Sequence, residues 1–309
     1  MEKSKKLNLL GQLLLLLATL VWGTSFVILK DTIGTVPPMF VIAIRFISAG
    51  VILLLVFFKK MKKATKRSIL AGLVVGLFLA SAYVSQTYGL LYTTPGKNAF
   101  LTSTYCVMCP FMLWILFKNK PKLKNVISAV ICIIGIGFIS LSGNNQAGEG
   151  NLLGDALTLL SAVFFGFQIV YISHFQSRGE DTITLLVTEF LSAGLIFALI
   201  TLIFEMPVYG VSAYAIDGQN LFNIIYLTLM CTLFAQSAQM IGQRYTAPNQ
   251  SSLILSLESV FGMLFSVIMG VEKLSFMLCI GFSIVFISIL ISELSFSKNN
   301  KINIENTEE

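Results

Sequence analysis

Charge is what this chain lacks. Aspartate, glutamate, lysine and arginine make up 12% of its 309 residues, about half the share of an ordinary water-soluble domain. So few charges cannot clothe a surface that faces water, and a soluble globular protein is excluded. Histidine is reduced to His174, an interfacial residue at the end of an apolar run. Cys106 and Cys109 form a Cys-x-x-Cys, yet they lie inside an apolar run with no second pair, which argues against zinc or redox chemistry. No phosphate loop, nucleotide fingerprint or hydrolytic triad is present, so the chain reads as no enzyme and no cofactor or metal is expected.

What is present is apolar: 56% hydrophobic residues and a mean hydropathy of +0.84. A helix needs about 20 apolar residues to cross hydrocarbon, and only helices and closed barrels satisfy their own backbone there. The runs are continuous and show no alternation, so they read as helices. Ten candidate spans follow: 9–29, 38–58, 68–91, 98–117, 125–141, 152–174, 182–204, 220–243, 250–270 and 274–292. The expected fold is an all-α integral membrane protein of ten transmembrane helices, multi-pass in the plasma membrane. The first span follows Lys3, Lys5 and Lys6 as a signal peptide would, but it is longer than a signal core and no small-x-small site follows, so it reads as an anchor.

Basic residues set the orientation. Lys3, Lys5, Lys6, the runs 59–67 and 118–124, Arg178, Arg244, Lys298 and Lys301 fall on one side, against Lys30, Lys97 and Lys273 on the other. The richer side is cytosolic, which places both termini in the cytosol. The net charge of +6 therefore reports topology, with no nucleic-acid partner implied. Asn249-Gln250-Ser251 matches a glycosylation acceptor but falls on the cytosolic side. The polar tail 303–309 reads as disordered.

A phrase repeats. Phe46-Ile-Ser-Ala-Gly50 returns as Phe190-Leu-Ser-Ala-Gly194, 144 positions on (46 to 190), and Tyr92-Thr-Thr-Pro95 returns as Tyr245-Thr-Ala-Pro248, 153 positions on (92 to 245). These offsets bring Trp22-Gly23 near Phe165-Gly166, and pair Tyr83 with Gln236, Gln86 with Gln239 and Tyr105 with Glu258. Two five-helix repeats are implied, 7–141 and 152–292. Five is odd, so the second copy is inverted, an arrangement that builds carriers with a site near the midplane.

Charges inside the spans each cost roughly 2.5–3.5 kcal/mol at the bilayer centre, so Arg45, Glu189 and Glu258 need a wet cavity or one another. Arg45 reads either as a fixed cation for a substrate carboxylate or as one half of a structural pair with Glu189; a snorkel toward the cytosol is the third reading. Glu189 lies near the cytosolic loop and suits an ion pair or a coupling role. Glu258 is deeper, among Leu255, Leu257, Val260 and Phe261, and suits proton coupling, a substrate amine, or a buried structural hydrogen bond. Thr232, Gln236, Gln239 and Gln243 share one helical face, which lines either a cavity or a helix interface. Tyr83 and Gln86 are their repeat partners, and Trp22 and Tyr105 serve as aromatic walls or as ordinary packing. Gly72, Gly76 and Ala80 read as close helix packing, and Pro110 as a kink.

The segment from Ala18 to Gly50, with Trp22-Gly23, a proline opening the second span and Arg45 inside it, resembles the opening of the EamA-like branch of the drug/metabolite transporter superfamily. The Tyr-Thr-x-Pro pairs and Gly270-Val271-Glu272 extend the resemblance over residues 7 to 292. It implies a secondary transporter exporting small metabolites such as amino acids by alternating access, with protons as coupling ion. Lys118-Asn119-Lys120 stands where the family usually has a glutamate, and Glu272 is therefore left out of the site. A passive channel or facilitator for small polar solutes is the alternative.

Overall fold

In hydrocarbon a backbone must pair its own amides and carbonyls, and helix is how this chain does so. The structure, a computed structural model, describes residues 2–141, 152–246 and 248–293. The tail after 293 with Lys298 and Lys301, residue Ala247, and the side chains of Lys3, Lys5, Asn249 and Gln250 lie outside what is described. The helices are α1 (Glu2–Ile33), α2 (Pro38–Val56), α3 (Lys66–Tyr92), α4 (Pro95–Phe117), α5 (Leu123–Leu141), α6 (Leu152–Ser177), α7 (Thr182–Tyr209), α8 (Gly218–Tyr245), α9 (Pro248–Ile268) and α10 (Phe276–Glu293). No strand occurs among the described residues. Seven of these helices, α1 to α4 and α6 to α8, are long and apolar enough to cross a membrane. The other three carry the shorter apolar stretches Leu123–Ile139, Leu253–Ile268 and Phe276–Ser292. Large exposed side chains such as Leu55, Leu195 and Phe204 form the outer surface that lipid covers.

Local chemistry sets the boundaries. Pro38 and Pro95 open α2 and α4, because a first-turn residue has no intrahelical use for its N–H. Thr65, Asp181 and Asp217 cap α3, α7 and α8 by accepting from the Ser68, Thr184 and Asn220 amides at 3.1, 2.9 and 2.7 Å. Two helices carry wide π-turns, Thr201–Glu205 in α7 and Leu227–Phe234 in α8. The break in α4 comes at Thr104, whose hydroxyl donates to the Leu101 carbonyl at 2.6 Å, while Pro110 remains inside the segment Tyr105–Phe117.

The principal packing joins α1 to α8 and α9, α3 to α6 and α7, α2 to α7 and α8, α4 to α6 and α9, and α5 to α10. Exchanging every helix for the one five places along leaves that set of partners unchanged. The repeated phrase sits where α2 crosses α7. A Cβ on Gly194 would lie 2.8 Å from the Ile47 side chain and 2.9 Å from its backbone nitrogen; one on Gly50 would lie 2.8 Å from the side chain of Leu191. Ile47 and Leu191 occupy the same place in the two phrases, so each copy supplies the knob for the other copy's glycine. On α3, Gly76 meets Ser192 and Glu189 of α7.

We term the face bearing the C-terminal end of α1 distal and the opposite face proximal. On the proximal face, Lys60 pairs with Asp181 and Arg67 with Glu180, both at 2.7 Å, and Ser68 donates to Glu180. Burial would raise the Asp181 carboxyl, but donors from Lys60 and Thr184 outweigh it and hold the group below its ordinary range. His174 stacks on Phe117 with centroids 4.4 Å apart. Gly194→Val should force α2 from α7 and lower the melting temperature of the detergent-solubilised protein, by an overpacking cost of about 1–3 kcal/mol. Gly137→Val, which meets nothing within 4 Å, should leave the melting temperature unchanged in the same assay.

Candidate functional site

A cavity lies between α1, α2, α3, α4, α6, α8 and α9. Five of its fifteen lining residues are aromatic: Trp22, Phe26, Tyr83, Tyr105 and Phe165. Its polar groups are Ser25, Arg45, Gln86, Thr102, Gln236, Gln239 and Glu258. Each comes from the inward stripe of a helix whose other faces are apolar, as the cost of amides and charges in lipid requires.

Arg45 is 1% exposed. Its Nε donates to the Thr232 hydroxyl at 3.0 Å and its guanidinium carbon lies 5.8 Å from the Tyr83 ring centroid. Its Nη1 has no hydrogen-bond partner. Thr232 is free to accept because its own hydroxyl donates back to the Leu227 carbonyl at 3.1 Å, across the π-turn of α8. Trp22 donates its indole N–H to the Cys231 carbonyl in the same π-turn at 2.9 Å. Gln86 donates to Thr102 at 3.1 Å. No hydrogen bond or ion pair reaches the Glu258 carboxyl among the described residues. One buried cation and one buried carboxyl, neither neutralised by the other, therefore face a single aromatic-walled space.

Trp22, Arg45, Tyr83, Gln86, Tyr105, Gln236, Gln239 and Glu258, all expected from the sequence, line this space. Two expected residues do not. Gln243 lies past the cavity on the proximal part of α8, with both amide atoms buried and unpartnered, because the helical face outruns the space it borders. Glu189 is fully buried off the cavity and accepts from Gln168 at 2.8 Å. Among the described residues no ion pair joins it to Arg45, so that pairing and the cytosolic snorkel of Arg45 are both corrected. Ser25 and Thr102 escape a reading that looks for charges and amides; a small hydroxyl in an apolar run carries too little signal.

Lys97 also departs from expectation. It is 1% exposed rather than a loop residue, since Pro95 starts α4 early and carries it into the bundle. Its Nζ lies 3.9 Å from Oδ2 of Asp155, and neither atom has a hydrogen-bond partner. Glu272, left out of the site, does not line the cavity and accepts from Thr94, Gly96 and Ser266 at 2.7, 2.9 and 3.0 Å. Lys30 donates to the Leu90, Leu91 and Thr93 carbonyls at 2.5, 2.9 and 3.0 Å, a cation on the C-terminal end of α3.

Known proteins resemble this chain over most of its length. The family model described as the EamA-like transporter family matches residues 9–141 and again 152–294. An uncharacterized transporter of Archaeoglobus fulgidus is 29% identical over 93% of this chain and 87% of its own. The uncharacterized transporter YetK of Bacillus subtilis is 25% identical over 87% and 82%. The uncharacterized inner membrane transporter YedA of Escherichia coli K12 is 23% identical over 83% and 81%. A crystal structure of a protein only 18% identical superposes on 91% of this chain and 95% of its own with a TM-score of 0.65, a likeness of fold. Apolar helices and a family match over nearly the whole length make this a multi-pass protein of the plasma membrane and a transporter of small molecules, and the chain belongs to the EamA-like transporter family.

Proposed function

We propose that this protein is a secondary-active carrier that exports small organic metabolites of the amino-acid class by alternating access, with protons as the coupling ion. Its frame is ten spans in two inverted five-helix repeats, 7–141 and 152–292, with both termini in the cytosol. The exchange symmetry of the packing and the reciprocal glycine contacts at the α2–α7 crossing support that frame. The observation that carries the function is the pairing, in one cavity, of an incompletely satisfied guanidinium with an unpartnered carboxyl. A zwitterion brings a carboxylate for Arg45 and an ammonium for Glu258. Each desolvated group then gains the counter-charge it lacks, where a polyanion would leave Glu258 repelled.

Aromatic walls at Trp22, Tyr83 and Tyr105 suit a substrate with an apolar portion, and Gln86, Gln236 and Gln239 supply donors and acceptors that tolerate varied side chains. Glu258 is the proposed proton carrier: neutral it admits the ammonium poorly, ionised it holds it, so substrate and proton compete for one group.

Ligand binding raises the stability of the folded state, so thermal shift across amino acids and amines, followed by counterflow in proteoliposomes, tests the reading. A ligand that stabilises the wild type should lose roughly 10-fold or more in affinity for Arg45→Met, the price of one charge-assisted pair. That variant should still fold, with stability within about 1 kcal/mol of wild type, because it removes a buried charge that has no carboxylate partner. A sharp loss of stability with unchanged affinity would make Arg45 structural. Glu258→Gln should bind an amine-bearing ligand roughly 10-fold or more weakly and lose both transport and its acceleration by a pH gradient; unaltered affinity and pH dependence contradict the coupling role. Conductance above carrier turnover in planar bilayers would instead favour a passive channel.

A further inference from the structure

The turn between α3 and α4, residues 90–97, is gripped by charged side chains from three other places in the fold. From α1, Lys30 donates to three of its carbonyls. From α6, Asp155 accepts from the Thr93 hydroxyl at 2.8 Å through Oδ1 and turns Oδ2 toward Lys97. From beyond α9, Glu272 accepts from the Thr94 hydroxyl and the Gly96 amide. Lys97, Asp155 and Glu272 are 1%, 2% and 7% exposed. Leu29, one turn from the distal end of α1, and Leu90, the first residue of this turn, line the cavity at 4% and 1% exposure.

The repeat offsets give each gripping residue a counterpart at the proximal face. Lys30 maps to Ser173 and Asp155 to Gln12, both 143 positions away (22 to 165 sets the offset), and Glu272 maps to Asn119, 153 positions away (272 to 119). None of the three counterparts is charged. The proximal face is joined instead by Lys60–Asp181, exposed at 48% and 35%, and by Arg67–Glu180, where the arginine is 65% exposed and the glutamate 7%. A pair with an exposed partner is held less firmly than one buried on both sides. Buried charges that lose their partners are left uncompensated.

We propose that the α3–α4 turn is the distal gate of the carrier, held shut by Lys30, the Lys97–Asp155 pair and Glu272, and that the charged grip makes the two gates unequal. The closed distal state is the resting one, and opening it requires the grip to release as a unit. Two of the three holds cross between the proposed repeats, so a rocking of one half against the other strains them together. This rests on the carrier reading but is tested without any substrate.

Ser25→Cys places a near-isosteric thiol in the cavity below the gate. Its reaction with a membrane-impermeant maleimide is followed in intact cells, where the distal face is outside, and in inside-out vesicles, with the chain lacking this cysteine as background. Labelling from the distal face should be slow in this parent. It should rise about tenfold when Glu272→Gln or Lys30→Gln is added, the change that a lost 1.4 kcal/mol of closing energy brings. Asp155→Asn, which also strands Lys97, is the more severe variant; the two glutamine substitutions keep the test open if it fails to fold. Unchanged distal labelling in folded Glu272→Gln and Lys30→Gln, or an equal rise from both faces, overturns the gate. Fast labelling of the parent from both faces would instead mark a passive pore and remove the carrier reading itself.

Discussion

A polar group in hydrocarbon must find its partner within the protein, and every feature of this molecule answers to that demand. Backbone amides are satisfied by helix. Side-chain amides and charges cannot be, so they turn inward, and where several helices do this at one depth they enclose polar space. The cavity is the place where satisfaction stops short. Arg45 finds Thr232 and the face of Tyr83 but no carboxylate, and Glu258 finds nothing among the described residues. Groups paired with each other would stabilise the fold and be useless to a ligand.

The second constraint is distance. Helices in lipid gain little from apolar contact as such, since lipid tails are equally apolar, so they depend on close backbone approach. Glycines at the crossings permit it, and the reciprocal contacts of Gly50 with Leu191 and Gly194 with Ile47 explain why a five-residue phrase appears twice. Two copies of one crossing element meet face to face, each with a gap where the other has a knob.

The sequence carries some of this openly and conceals the rest. Hydropathy marks the helices and the inward stripe on α8, because lipid punishes misplaced polarity at each position independently. Eight of the residues expected at the site meet in one cavity for the same reason. Gln243 and Glu189 do not, since a helical face specifies a direction but not how far along the axis the open space extends. Lys97 is hidden by the convention that lysines belong in loops; a proline at the first helical position was the available signal. The π-turn that frees Thr232 for Arg45 and offers the Cys231 carbonyl to Trp22 has its partners on distant segments and leaves no local mark.

The central claim is that water reaches the aromatic walls of the inner cavity while the outer surface is covered by lipid. The chain has two tryptophans, Trp22 in the cavity at 9% exposure and Trp114 on the outer surface at 45%. Hydroxyl-radical footprinting of the protein in lipid nanodiscs compares them directly, because the radicals arise from water. The account predicts faster oxidation of Trp22 despite its smaller exposure; oxidation of Trp114 with Trp22 untouched would mean that the cavity is dry and the residues around it are packing.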